Sequence, residues 1–172
     1  DAAAARVAGA FRSSPLAEAS VRHTFGLAYS GIGRLDPARE QFEQALSLLH
    51  AAGADADPRW LPLHGDFGKV QSDLSLNAEA EQTLRHALQL AEQHDDPSAA
   101  ASAIVIRDSL GNLFTRLGRL DEAEALFEQN QKHLGNPTDP FLRRLLLINT
   151  ADYARLRHTQ GRMDEAARTR RR

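Results

Sequence analysis

The sequence predicts an all-α fold, a solenoid of stacked antiparallel helix pairs. Three observations predict it. A ten-residue phrase recurs as GRLDPAREQF at 33–42, GRLDEAEALF at 118–127 and GRMDEAARTR at 161–170, and SLNAEAEQTL at 75–84 fills the gap between the first two, so the steps are 42, 43 and 43 residues. An upstream phrase keeps a constant lead over it: FGLAY at 25–29, FGKVQ at 67–71 and LGNLF at 110–114, with a fourth copy, YARLR at 153–157, that has lost the glycine. Alanine and leucine dominate the apolar residues and β-branched residues are sparse, which favours helix. A period of this size marks stacking, because one helix pair buries its second face only against the next pair.

The elements follow in order. Residues 1–13 read as the second helix of a preceding unit. Repeats then span 14–56, 57–95, 96–138 and 139–172, the last one truncated, all in a single domain over 1–172. Each repeat opens on a short oxygen-bearing side chain before proline: Ser14-Pro15, Asp57-Pro58, Asp96-Pro97 and Asp139-Pro140. The oxygen caps free N–H groups, and proline suits the first helical turn. In repeat two, Pro62, Gly65 and Gly68 weaken helix, so the first helix is expected to be kinked or to begin late, near Pro62, with Trp60 covering core at its irregular start.

A tight turn is expected at Gly33, Ser75, Gly118 and Gly161. Asp36, Asp121 and Asp164 are the expected caps of the second helices, with Asn77 in that role in repeat two. Ala38, Phe42 and Ala45 keep helical spacing, as do Ala80, Leu84 and Ala87, and Ala123 with Phe127. Gly53 and Gly135 stand where second helices should stop. Gly26, Gly68 and Gly111 fall in mid-helix, where glycine costs about 1 kcal/mol relative to alanine. Close approach of two helices, with Phe42, Leu84 and Phe127 filling the space, is the expected compensation.

Composition excludes several classes. The chain has 172 residues, 42% of them hydrophobic and 26% charged, with a net charge of −2. That balance gives no general affinity for nucleic acid. The arginines at 168 and 170–172 read as the solvated face of a helix, because no stacking aromatics accompany them. Zero cysteines exclude disulfides and thiol chemistry and fit a reducing compartment, so a cytoplasmic location is expected. The longest apolar run, around Leu145–Ile148, is far too short for a membrane span. The seven histidines form no HxxxH or HExxH pair, so no metal is expected. No GxSxG, GxxxxGK[ST] or GxGxxG occurs, and GDFG at 65–68 lacks kinase surroundings. Neither an enzyme nor a cofactor is expected, since nothing assembles a nucleophile, a base and its orienting group.

With its apolar residue, Gly, aromatic, small-residue turn, Ala and Phe, LGNLF…GRLDEAEALF resembles the tetratricopeptide repeat family, as does FGLAY…GRLDPAREQF. Repeat two matches in part and repeat four poorly in its first half. The usual period is about 34 residues, so the chain looks like the longer-helix variants of bacterial regulators and kinesin-light-chain-like proteins. The resemblance implies a right-handed superhelix whose first helices line a concave groove that grips a protein or peptide segment.

Carried over by distance from each FG or LG glycine, the groove positions are His23 and Leu27 in repeat one and Lys69 and Asp73 in repeat two. Asp108, Asn112 and Arg116 follow in repeat three, Arg155 and His158 in repeat four. Ser20, Ser30, Ser72, Thr115 and Ile148 fall on the same side. Asn112 matches an Asn that some members use to hold a peptide carboxylate, but their companion Lys and Arg positions are here Val105 and Ser109. First helices grow more basic toward the C-terminus, with Arg143, Arg144, Arg155 and Arg157 against Asp152 in 140–160. An acidic or carboxylate-bearing segment is therefore expected against repeats three and four. The expected function is a protein-binding scaffold; the alternative is a ligand-sensing or regulatory segment of a larger bacterial transcription or signalling protein. Open stack ends also allow self-association. Nucleic acid and membrane are not expected partners.

Overall fold

The structure, a computed structural model, describes residues 14–170, with side chains to Gly161. Among the described residues there are seven α-helices and no strand: α1 Pro15–Gly31, α2 Leu35–Ala51, α3 Leu61–Asp73, α4 Asn77–Glu92, α5 Pro97–Arg116, α6 Leu120–Leu134 and α7 Pro140–Arg170. A single 3-10 turn, Pro58–Trp60, precedes α3. The chain divides into two compact units, with the boundary between Ser102 and Ala103, inside α5. The helix expected in 1–13 lies outside the described residues.

The caps of the first helices form largely as expected. Asp96 Oδ1 accepts from the N–H groups of Ser98 and Ala99 at 2.9 and 3.0 Å, and Asp139 Oδ1 from those of Phe141 and Leu142 at the same distances. Asp57 accepts from Arg59 N at 3.0 Å and starts the 3-10 turn. Ser14 precedes α1 without a side-chain cap bond. As expected for repeat two, the α-helix begins only at Leu61, with Pro62 in its first turn, and Trp60 packs half-buried against the core of the first unit.

The turns between helices repeat one hydrogen-bond design. Arg34 N donates to Tyr29 O, Leu76 N to Gln71 O and Arg119 N to Phe114 O, each at 2.9 Å. This six-to-one bond closes a helix through one residue of left-handed backbone. Gly33 (φ 75°), Ser75 (φ 64°) and Gly118 (φ 74°) are those residues. Arg34 also lies 5.7 Å from the centroid of the Tyr29 ring, and Arg119 4.0 Å from that of Phe114. The arginine of the GRLD phrase thus covers the aromatic that ends the upstream phrase.

Two expectations about capping are corrected. The second helices already begin at Leu35, Asn77 and Leu120, and the residues preceding them make no side-chain cap bond. Asp36 and Asp121 therefore sit in the first turn, where their charge faces the positive helix end, and Asn77 is the first helical residue. The six-to-one turn delivers the chain straight into helix, so no separate cap is needed. Gly53 and Gly135, at φ 65° and 54°, do end α2 and α6.

In the first unit, Ala19, Ala38, Phe42, Ala45, Leu49, Leu63, Phe67 and Val70 form a continuous core. The mid-helix glycines admit the neighbouring second helix, as expected. A Cβ on Gly68 would lie 2.5 Å from Leu84, and one on Gly26 would collide with the Phe42 ring. In the second unit a Cβ on Gly111 would meet Phe127 at 2.7 Å. There Asn130 of α6 is fully buried, and its Nδ2 donates to Ile104 O of α5 at 2.9 Å.

The fourth repeat departs from expectation. No turn forms at Gly161: α7 runs unbroken from Pro140 to Arg170, and Asp164 lies within it. The sequence supplies the reason. A fold-back in the register of the other repeats would set Arg170 on Ala154, where they set Phe or Leu on Gly. It would also bring Arg162 onto Arg157, where repeats one and three have arginine over an aromatic ring. With α7 running straight on past Gly161, Leu147 is 71% exposed, whereas Ala19, Leu61 and Ile104, at the same register, are 0%, 2% and 6% exposed.

Candidate partner-binding face

In each unit two consecutive first helices lie side by side, and a polar pair joins them at one register. In the first unit His23 Nε2 of α1 lies 2.8 Å from Asp66 Oδ2 of α3. His23 is wedged there by Phe42, whose ring centroid is 5.8 Å away. One turn further on, Leu27 is 45% exposed, and Lys69 Nζ reaches Asp73 Oδ2 at 3.3 Å. Spacing of three or four residues keeps all of these on one side of their helices.

In the second unit the corresponding residues are Asp108 of α5 and Asp152 of α7. Asp152 is buried, and both of its oxygens are engaged: Oδ1 by Arg155 Nη2 at 2.8 Å and Oδ2 by Asn112 Nδ2 at 2.6 Å. Arg155 also donates to Asn112 Oδ1 at 3.3 Å. Asn149 Nδ2 donates to Asp108 Oδ1 at 3.3 Å. Burial first, then the neighbouring Asp152, push the Asp108 carboxyl up to about 7, against the opposing pull of Asn149 and Arg155.

The residues expected to line a face fall as follows. His23 is half-buried in its pair with Asp66, while Leu27, Lys69 and Asp73 are exposed on the first unit. Asp108 and Asn112 are half-buried in the polar cluster, and Arg116, Arg155 and His158 are exposed on the second unit. Ser72 is buried, not open to a partner. Asp66, Asn149 and Asp152 were not among the expected positions. A signal existed for two of them: Asp66 and Asp152 each stand two residues before the FG glycine or its counterpart Ala154. A buried network that joins α1 to α2 also had no sequence signature. Arg22 there bonds Glu18 at 2.8 Å, Gln41 at 3.2 Å and Gln44.

Among the described residues no group of three or more His, Cys, Asp or Glu side chains is placed to hold a metal, and no helix is long and apolar enough to cross a membrane. The arrangement offers hydrogen bonds, charge and apolar contact. Helix pairs closed by the same turn, with Gly facing Phe or Leu across each pair, define a helical-repeat protein. Residues 19–48 and residues 107–135 each match a family model of the tetratricopeptide repeat, and the chain is a tetratricopeptide repeat protein. The two matched segments enclose the turns at Gly33 and Gly118. Tetratricopeptide repeats generally mediate protein–protein interaction and act as scaffolds without catalysis. No curated protein matches the chain.

Proposed function

We propose that the protein binds a protein or peptide segment on the first helices of its repeats. One observation supports this above the rest: within each unit a polar pair fastens neighbouring first helices and leaves the next turn, Leu27 and Lys69 in one unit and Arg155 in the other, open to solvent. A fixed backbone with differing side chains at one register favours selective recognition, since less ordering cost accompanies binding.

On the second unit we favour an acidic segment. Arg116, Arg143, Arg144 and Arg155 are exposed there, and Asp108, once protonated, does not repel an incoming carboxylate. Fluorescence anisotropy with the full chain and matched acidic and basic peptides tests this. Low salt should tighten binding of the acidic peptide, and the pair Arg116→Glu and Arg155→Glu should weaken it about tenfold or more. Equal affinity of variant and parent at low salt would remove the acidic-segment reading.

A further inference from the structure

The carboxyl pair between α5 and α7 contains one proton more than its charges alone suggest. Asp152 accepts hydrogen bonds at both oxygens, from Arg155 and Asn112. Crossed amide bonds, from Asn112 of α5 to Asp152 and from Asn149 of α7 to Asp108, set the two carboxyls side by side. Two carboxylates offer each other only acceptors, so a bond between them needs a proton on one. Asp152 is the ionised partner, because a guanidinium and an amide already point at it. The donor is therefore a protonated Asp108, whose other contact, the Asn149 amide, is compatible with a neutral acid.

Among the described residues, Arg155 is the cation set against the pair. From α7, Asp108 is faced by Asp152 and Arg155. From α6, Phe127, Asn130 and Leu134 lie against α5, and none of them titrates. Arg107, its neighbour on α5, lies about 100° round the helix. The Arg155 guanidinium thus serves a buried and a half-buried carboxyl.

We propose that Asp108 and Asp152 form a proton-dependent clasp: sharing one proton, they fasten α5 to α7 beneath the binding face of the second unit, and losing it they repel and loosen that face. The face's role in binding rests on the reading above. The clasp is a property of the free chain, so its test involves no partner. Opening frees Asp108 to ionise as an ordinary carboxyl. Each unit rise in pH therefore favours opening about tenfold until the closed pair ionises too.

Amide hydrogen exchange on the full chain reads this directly, after correction for the intrinsic pH dependence of exchange. Protection of residues 145–158 should fall about tenfold or more between pH 5 and pH 7, then level off. In Asp108→Asn, which keeps a donor and cannot ionise, protection should stay within about twofold over the same range. Carboxyl carbon NMR on the parent chain gives a second readout that needs no variant. One aspartate should titrate near neutrality, and in Asp152→Asn that midpoint should drop by about one pH unit. All aspartates titrating below pH 5, or the same pH response in parent and Asp108→Asn, would overturn the clasp.

Discussion

An added methyl at Gly111 would meet the ring of Phe127 at 2.7 Å, and that ring is fully buried. Two effects compete in Gly111→Ala. Replacing a mid-helix glycine gains about 1 kcal/mol of helix propensity, whereas forcing extra volume into a packed core costs about 1–3 kcal/mol. Overpacking wins, so urea unfolding should show a net loss for Gly111→Ala; a gain would mean that the two helices are not in close contact. Ser75 presents the reverse case. It holds φ 64° where two other repeats use glycine, and it is exposed. Left-handed backbone costs a residue with a Cβ about 1–2 kcal/mol, partly offset by the greater freedom of glycine in the unfolded chain. Ser75→Gly should therefore raise the unfolding free energy by about 0.5–1 kcal/mol, and an unchanged urea midpoint would rule this out. Such pairings of glycine and ring were legible in the sequence, because both partners recur at fixed spacing. Asp66 and Asp152 were harder to see. Their partners come from the neighbouring repeat, and the register between repeats is set by packing in three dimensions. Their shared place before the FG position was the one available clue.

Elements show how one phrase serves two structures. GRLD at Gly118 closes a helix, while GRMD at Gly161 is passed through by α7. Gly118 sits at φ 74° with open space around its Cβ position, and Gly161 is helical with equally open space. Sterics being equal, backbone conformation alone decides the sign of a substitution. Gly118→Ala should cost about 1–2 kcal/mol, whereas Gly161→Ala should stabilise α7 by about 0.5–1 kcal/mol. Circular dichroism and urea unfolding of the two variants check this, and a loss at both positions would place a turn at Gly161 after all. Leu147 belongs to the same scale. Leu147→Ala should lie within about 0.5 kcal/mol of the parent, as exposed positions do, while Ile104→Ala at the equivalent buried place should cost about 2–5 kcal/mol. First helices were legible from their Asp-Pro signals, and their caps formed at Asp96 and Asp139. Second-helix starts were misplaced by one or two residues because a six-to-one turn needs no side-chain cap. The missing fourth turn was legible only in the residues that a fold-back would bring together, Arg162 with Arg157 and Arg170 with Ala154, not in the phrase itself.

Across the molecule the two units carry opposite responses to pH. In the first, His64 is buried, its Nε2 has no hydrogen-bond partner among the described residues, and its ring lies 6.0 Å from that of His86. Burial first, then the charge of His86, push its pKa down to about 4, against the weaker pull of Asp55. An unfolded His64 would take up a proton near pH 6.5. Stability of the first unit is therefore lost as pH falls from about 6.5 toward 4, with a slope approaching 1.4 kcal/mol per pH unit. In the second unit Asp108, raised to about 7, gives a slope of the other sign over nearly the same range, with stability falling as pH rises from about 4 to 7. A probe that averages the whole chain should see the two contributions largely cancel. Hydrogen exchange resolved by helix should separate them: protection in α3 and α4 should rise between pH 4.5 and 6.5 while that in α7 falls. His64→Leu should flatten the first trend and leave the second, and Asp108→Asn should do the converse. Cancellation also predicts a result for the averaged probe. In Asp108→Asn, thermal unfolding followed by circular dichroism should become visibly less stable toward pH 4.5 than the parent chain, because the His64 contribution is no longer offset. Trends of the same sign in α3, α4 and α7 would show that one of the two buried groups does not titrate as its surroundings require.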